Sequence, residues 1–318
     1  MLGKGVGTVH GDAGAVRQPY AGNLAAIGAM LLSTVFYTCS DAAMKFVSVI
    51  LPTGEAVFLR SLGTVLLLAV AAYATGVLKD IRHALSRLML LRGAADAGNS
   101  LMFQAALARM PLADTMGILQ LSPLCLTAAA ALVLGAHVGW RRWTAVGAGL
   151  VGALLVIKPG TSAFNVFAIL AIISVLCGSV RDLSTRRFAP SLSPLLILLV
   201  SQAMVGLCAL GGLTFERWVW PAPHVMLQIA AGSILIGLGH LFALLAVRHS
   251  DLAVVAPFRY AGIVWAILLG FAFWGEWPDR LSLLGIAILI SAGLYTFYRE
   301  RVVMRARTGA MAATDKTL

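Results

Sequence analysis

The 318-residue sequence is short of charge. Asp, Glu, Lys and Arg make up 12% of it, about half of the roughly 25% found in soluble domains. Cysteine is confined to Cys39, Cys125, Cys177 and Cys208. All four lie far apart inside apolar stretches, with no CxxC pair and no Cys/His cluster, so the sequence signals neither a metal site nor a disulfide and buried free thiols are expected. The patterns G-x-x-x-x-G-K-[ST], G-x-S-x-G and H-E-x-x-H are also missing, which removes P-loop ATPases, nucleophile-elbow hydrolases and zincins. No polar segment is long enough to fold alone: the longest loops, near 76–87 and 214–224, are about a dozen residues each. Residues 1–20 are Gly-rich and polar, without an apolar core followed by a cleavage site, and do not read as a signal peptide. Gly3, Gly5 and Gly7 follow no strand and precede no amphipathic helix, so they make no dinucleotide loop.

In place of charge there is apolar sequence. Sixty per cent of the chain is hydrophobic and its mean hydropathy is +0.90. That excludes a water-soluble enzyme, a disordered chain and a nucleic-acid-binding domain. The expected fold is an all-α integral membrane protein, since apolar runs predict ten transmembrane helices of about 20 residues each. They fall near 22–42, 54–75, 88–108, 112–134, 143–158, 164–184, 194–213, 225–247, 252–273 and 281–298. The net charge of +11 is then a matter of sides. With both termini cytoplasmic, seventeen basic residues fall on the inner side and five (Lys45, Arg109, Lys158, Arg217 and Arg280) on the outer, as the positive-inside rule requires.

The halves of the chain resemble each other at a period near 140 residues. Asp41-Ala-Ala-Met-Lys45 answers to Asp182-Leu-Ser-Thr-Arg186, Pro52 to Pro194, and Ala106-Leu-Ala-Arg109 to Leu245-Ala-Val-Arg248. Leu112-Ala113 answers to Leu252-Ala253, Gly135 to Gly275, and Gly147 to Gly285. Five spans per half is an odd number, so the second copy enters the membrane from the opposite side. The expectation is two inverted-topology five-helix repeats, an architecture whose halves can exchange conformations around a central site. The predicted organisation is a flexible cytoplasmic tail over 1–21, repeats over 22–160 and 161–298, and a basic cytoplasmic tail over 299–318.

The ten spans, Arg109-Met-Pro-Leu-Ala-Asp-Thr115 and Leu121-Ser-Pro123-Leu124 together resemble the EamA-type drug/metabolite transporter superfamily, and within it the YddG-like amino-acid exporters. So does the run from Ala256-Pro-Phe-Arg-Tyr260 through Trp265, Gly270 and Gly275-Glu276-Trp-Pro to Gly293-Leu-Tyr295. The similarity extends from about residue 22 to 300. One departure stands out: the Gly-Glu pair that often follows the fourth span of a half is present as Gly275-Glu276, whereas the first half has Gly135-Ala136.

Ionisable groups inside a span cost a few kcal/mol each and require explanation. Arg60 either binds a substrate carboxylate or snorkels or pairs with Glu55. Arg259, between Phe258 and Tyr260, is a second candidate. Asp96 and Asn99 share a helix face, and with Ser100 and Gln104 they make the third span too polar to face lipid. His240 in the eighth span, or a buried carboxyl, could carry a coupling proton, or His240 could be a hydrogen-bonded core residue. Pro123 and Pro257 free backbone carbonyls in the fourth span of each half, beside Gln120 in the first. Tyr37, Phe103, Tyr260 and Trp265 could form an aromatic wall or ordinary packing. Asp41/Lys45 and Asp182/Arg186 read as gating residues or i,i+4 pairs. The remaining tryptophans near span ends suit an interfacial belt, and small residues at Ala145, Gly149, Ala153, Ala287 and Ser291 make spans five and ten a scaffold or dimer contact.

The resemblance implies a secondary transporter and not an enzyme, needing no cofactor or metal, with the lipid bilayer and a small molecule as partners and H⁺ as the candidate coupling ion. The expected activity is export of small metabolites, amino acids first, across the inner membrane, by a monomer or homodimer. The alternative is uptake of riboflavin, S-adenosylmethionine or a similar metabolite. A passive channel or scaffold is a further class, which saturable, counter-transportable flux would separate from a carrier.

Overall fold

The computed structural model describes residues 20–84, 86–134, 140–159, 165–185, 187–188, 192–248 and 255–315. Among these every regular element is helical: α1 (Tyr20–Val47), α2 (Thr53–Ala74), the single turn α3 (Ile81–Ala84), α4 (Arg87–Leu107), α5 (Leu112–Leu119), α6 (Ser122–Leu134), α7 (Trp140–Ile157), α8 (Phe167–Thr185), α9 (Pro194–Leu210), α10 (Pro223–Arg248), α11 (Ala261–Trp274) and α12 (Arg280–Asp315). Seven stretches are long and apolar enough to cross a membrane: Leu24–Val47, Thr53–Ala74, Leu112–Ala129, Phe167–Thr185, Pro223–Ala246, Pro257–Trp274 and Arg280–Arg299. Trp143–Ile157 and Pro194–Leu210 are shorter apolar helices. Helix α4 has the length but carries Arg87, Arg92 and Asp96 along it.

The helix ends follow from local chemistry. Ser86 caps α4 by accepting the Met89 N–H at 3.2 Å, the role short hydroxyl side chains play at N-caps. Pro194 opens α9 where its missing N–H costs nothing. Gly275, at φ 65°, ends α11 in the left-handed conformation that glycine adopts freely. Two differences from the sequence expectation concern continuity. The fourth predicted span is two helices, α5 and α6, broken at Gln120–Leu121 just ahead of Pro123. The last helix does not stop near residue 298 but runs to Asp315.

Small residues set the closest approaches. Helix α1 lies along α10, where Gly232 meets Met44 and Gly239 meets the Tyr37 ring. Helix α4 lies along α8, with Gly98 against Cys177 and Gly178 against Asn99. Helix α2 packs on α9, α4 also on α9, and α2 also on α10. Helices α7 and α12 cross through Gly152 and Gly285, where a methyl on Gly152 would stand 2.8 Å from the Gly285 carbonyl oxygen. A crevice of about 470 Å³ between these two helices, walled by Thr144, Ala148, Ser291 and Tyr295, lies apart from the charged residues described below. Outward faces bear large apolar side chains such as Leu66, Val70, Leu150, Ile169, Leu176 and Leu207, more contiguous apolar surface than water tolerates. Of the four free thiols, Cys39, Cys125 and Cys177 are half-buried and Cys208 is exposed on that apolar surface.

Candidate functional site

The most polar part of the interior is built on α4. Asp96 is buried, with 6% of its surface exposed, and three helices supply its partners. Its Oδ1 accepts from Arg181 Nη1 of α8 at 3.1 Å and its Oδ2 from Ser201 Oγ of α9 at 2.7 Å. Arg92, one turn earlier on α4, holds its Nη1 4.0 Å from Oδ2. The two arginines are positioned in turn: Arg181 Nε donates to Asp182 Oδ1 at 2.8 Å and Arg92 Nε to Thr185 Oγ1 at 2.8 Å. Asn99 meets Ser174 of α8 and, with its amide oxygen turned toward Arg181, accepts from that guanidinium at 3.2 Å. Buried charges are tolerable only when paired and hydrogen-bonded. Here the pairing ties α4 to α8 and α9.

Beside this network α1 meets α10. The Tyr37 hydroxyl lies 2.8 Å from His240 Nδ1, with the two rings edge to face at 5.3 Å between centroids. Gln202 of α9 reaches the other ring nitrogen at 3.5 Å. His240 is within electrostatic range of Asp96, Arg181, Arg60 and Arg92, so the charged network and the Tyr37–His240 pair form one site. Arg259 sits in a 3₁₀ turn (Ala256–Tyr260) ahead of α11; its side chain is exposed, and its charge acts on Tyr37 and Tyr260.

One turn further along the same face of α1, Asp41 and Arg60 form a buried, long ion pair with Arg60 Nη1 3.7 Å from Asp41 Oδ1. Glu55, the alternative partner for Arg60, instead accepts the Val219 N–H at 3.0 Å. The Arg60 carbonyl accepts from Ser233 Oγ of α10 at 3.0 Å. Among the described residues, Nη1 of both Arg60 and Arg92 is buried with no hydrogen-bond partner.

A separate polar cluster closes one end of the bundle. Lys45 Nζ donates to Glu276 at 2.6 and 2.8 Å and to the Met110 carbonyl at 3.0 Å. Glu276 Oε2 also accepts the Leu112 N–H at 3.0 Å, and Lys45 stands 4.9 Å over the Trp274 ring. The left-handed turn at Gly275 leads the chain back so that Glu276 faces α1. Nearby, Lys158 pairs with Asp279. Lys158 ends α7 at φ 53°, a conformation uncommon for a residue with a side chain. Arg92 lies twelve residues up α4 from Gln104, whose amide donates to the Met44 carbonyl at this same end. At the helical rise that separates the two charged clusters by about 18 Å.

The remaining sequence candidates lie elsewhere. Phe103 is buried in the apolar core with Ala42, Leu107, Leu112, Met116 and Ala266. Gln120 caps the end of α5, and Pro123 stands in the first turn of α6. Pro257 opens the 3₁₀ turn before α11. Tyr260 is buried against Gly293 and Phe297 of α12 and Trp265 is half-buried on α11, and among the described residues neither the Tyr260 hydroxyl nor the Trp265 indole N–H has a hydrogen-bond partner. Asp182 is half-buried on Arg181, and Arg186 lies outside the described residues. Conversely, Arg92, Arg181, Ser201 and Gln202 belong to the site although the sequence did not single them out for it. The available signal was spacing: Arg92 is four residues from Asp96, and Arg181 adjoins Asp182.

Comparison with known proteins points to one class of function. Residues 21–158 match the EamA-like transporter family. The pseudopaline exporter CntI of Pseudomonas aeruginosa is 29% identical over 82% of this chain and 92% of its own. An S-adenosylmethionine uptake transporter of Rickettsia prowazekii is 25% identical over 87% of this chain and 94% of its own. A crystal structure of another protein superposes with a TM-score of 0.61 at 19% identity, over 89% of this chain and 98% of that one, a likeness of fold alone. The matched family and these named relatives are transporters, not enzymes, and the apolar helices of this chain suit a multi-span membrane protein.

Proposed function

Residues 21–158 match the EamA-like transporter family, and from that likeness we propose that the chain is an inner-membrane secondary transporter exporting small metabolites, amino acids first among them, by alternating access. The observation that carries this reading is the convergence of α1, α2, α4, α8, α9 and α10 on one buried set of charged and hydrogen-bonding groups inside a bundle with an apolar exterior. An amino acid needs a cation for its carboxylate and acceptors for its ammonium group. Arg60 and Arg259 offer the first; Asp96, Asn99 and the Tyr37–His240 pair offer the second.

Helix pairing supports ten spans in two inverted halves, 22–160 and 161–298. The seven long apolar stretches, the two shorter apolar helices and α4 make up the number. A two-fold axis in the membrane plane would exchange span one on span eight with span six on span three, which corresponds to α1 on α10 and α4 on α8. It would map span two on span seven and span five on span ten onto themselves, which corresponds to α2 on α9 and α7 on α12. With both termini cytoplasmic, as the basic bias supports, the Lys45–Glu276 cluster faces outward and Arg92, Arg181 and Thr185 lie toward the cytoplasm. The cluster at Lys45 is then a closed outer gate, and the site exchanges with the cytoplasm in this conformation.

Counterflow in proteoliposomes tests the reading. Vesicles preloaded with a mixture of amino acids are expected to accelerate entry of a labelled subset, and flux that does not saturate would replace the carrier by a channel. The similarity to an S-adenosylmethionine uptake transporter favours one second reading, uptake. Exchange of S-adenosylmethionine or riboflavin, with none of any amino acid, would keep the carrier and discard the amino-acid substrate.

A further inference from the structure

The charged site contains one carboxylate that is held differently from the others. Asp96 accepts two hydrogen bonds, Asp182 accepts one from Arg181, and at the bundle end Glu276 accepts from Lys45 and Leu112. Asp96 and Glu276 accept at both oxygens and would lose a donor on taking a proton, and Asp182 would lose the charge that strengthens its bond from Arg181. Asp41 accepts none among the described residues; its one ionic partner is Arg60, at 3.7 Å. Its side chain keeps 11% of its surface exposed, enough for water to reach it. From the elements packed on α1, the ionisable groups facing this region are Arg60 on α2, Asp96 on α4, His240 on α10, and Arg259 with Tyr260 ahead of α11. Tyr37, Cys39 and Lys45 stand on α1 itself, and α11 contributes no ionisable side chain. Of these, Lys45 is taken up by Glu276 and Asp96 by Arg181 and Ser201. Both ring nitrogens of His240 face neutral groups, Tyr37 and Gln202.

The charge count gives the direction of coupling. Asp41, Asp96 and Asp182 balance Arg60, Arg92 and Arg181. A proton on an Asp41 oxygen breaks no hydrogen bond but leaves Arg60 as an uncompensated buried cation, which is costly unless an anion arrives. We propose that Asp41 is the binding site for a transported proton and that the proton and a substrate carboxylate occupy the site together, the carboxylate on Arg60. The proposal rests on the carrier reading above and adds the coupling ion and the sign of its linkage. Proton and substrate cross in the same direction, so net flux follows the sum of their two gradients, and export proceeds only where the outward substrate gradient exceeds the inward proton gradient.

Two measurements on the full-length protein test this. In proteoliposomes holding a pH-sensitive dye, entry of a labelled amino acid is expected to acidify the lumen in the wild type, and whatever exchange Asp41→Asn retains is expected to lose its dependence on pH. Alkalinisation on substrate entry would overturn the co-transport. Independently of any substrate, infrared difference spectra of the purified protein on acidification are expected to show a carboxylic acid C=O band. That band should be absent from Asp41→Asn, shifted in Asp41→Glu and kept by Asp182→Asn; its persistence in Asp41→Asn would overturn the assignment. If the wild type exchanges no amino acid, the substrate reading fails while the infrared comparison still decides Asp41.

Discussion

Replacing Asp96 by Asn keeps the shape of the central carboxylate and removes its charge. The amide can still face Ser201, and Arg181 retains Asp182. Arg92 fares worse: it is buried, its nearest carboxylate is gone, and only its Nε bond to Thr185 remains. Removing one partner of a buried ion pair costs about 3–5 kcal/mol. Because Arg181 stays partly compensated, the expected loss lies at the low end, about 3 kcal/mol. Removing both charges, Asp96→Asn with Arg92→Met, eliminates the orphaned cation. The double variant should therefore be more stable than the sum of the single losses by about 0.5–3 kcal/mol, the size of coupling between residues in one charge network. Equilibrium unfolding in mixed detergent micelles measures all three variants. Losses under about 1 kcal/mol that simply add would refute the reasoning, because residues in contact should couple.

Other expectations follow from single contacts. In Gly239→Ala the new methyl would lie 2.7 Å from Tyr37 Cδ1, and because that ring is held by His240, the substitution should cost about 1–2 kcal/mol of substrate binding, read as a raised half-saturation in counterflow. Gly152→Ala presses a methyl against the Gly285 carbonyl at 2.8 Å; backbone cannot swing aside, so thermal unfolding should report a loss of about 1–3 kcal/mol with half-saturation unmoved. The Asp279 carboxyl is held below its ordinary value of 3.8 by the hydrogen bond from Lys158 and then by the Ser282 N–H. The stability it adds is fully present above pH 3.8 and is lost as pH falls through the depressed value. Lys158→Met should flatten the acid limb of a melting-temperature profile, and an unchanged limb would remove this pair from the balance.

What could be read in the sequence was whatever acts along one helix. Apolar length marked most of the helices, and Asp96 with Asn99 marked α4 as inward-facing, since three-residue spacing places both on one helix face. What could not be read acts between helices. Arg92 and Arg181, taken singly, resemble the many basic residues near span ends, and only the packing of α4 on α8 makes them site residues. Lys45 and Glu276 were each noticed, yet 231 positions separate them, and no periodicity links the end of α1 to the turn after α11. Arg60 had a nearer candidate partner in Glu55, but the loop reaching Val219 occupies that acid. The last membrane span is legible as Arg280–Arg299, but its helix runs on to Asp315, because loss of apolar character ends a membrane span and not necessarily a helix.

The polarity of α4 also orders the making of the molecule. A charged residue at mid-helix opposes insertion by about 2.5–3.5 kcal/mol, and α4 brings two, Arg92 and Asp96, that can shield each other only at 4.0 Å. The groups that relieve Asp96, Arg181 and Ser201, follow it by 85 and 105 positions. At about 5–20 residues per second of synthesis, that is a delay of roughly 5–20 s. Throughout it the emerging first half holds a helix that lipid does not welcome, so the nascent chain depends on its insertion machinery until α8 and α9 arrive. A ribosome stalled before Phe167 would leave behind a fragment in which Asp96 has neither Arg181 nor Ser201 to meet.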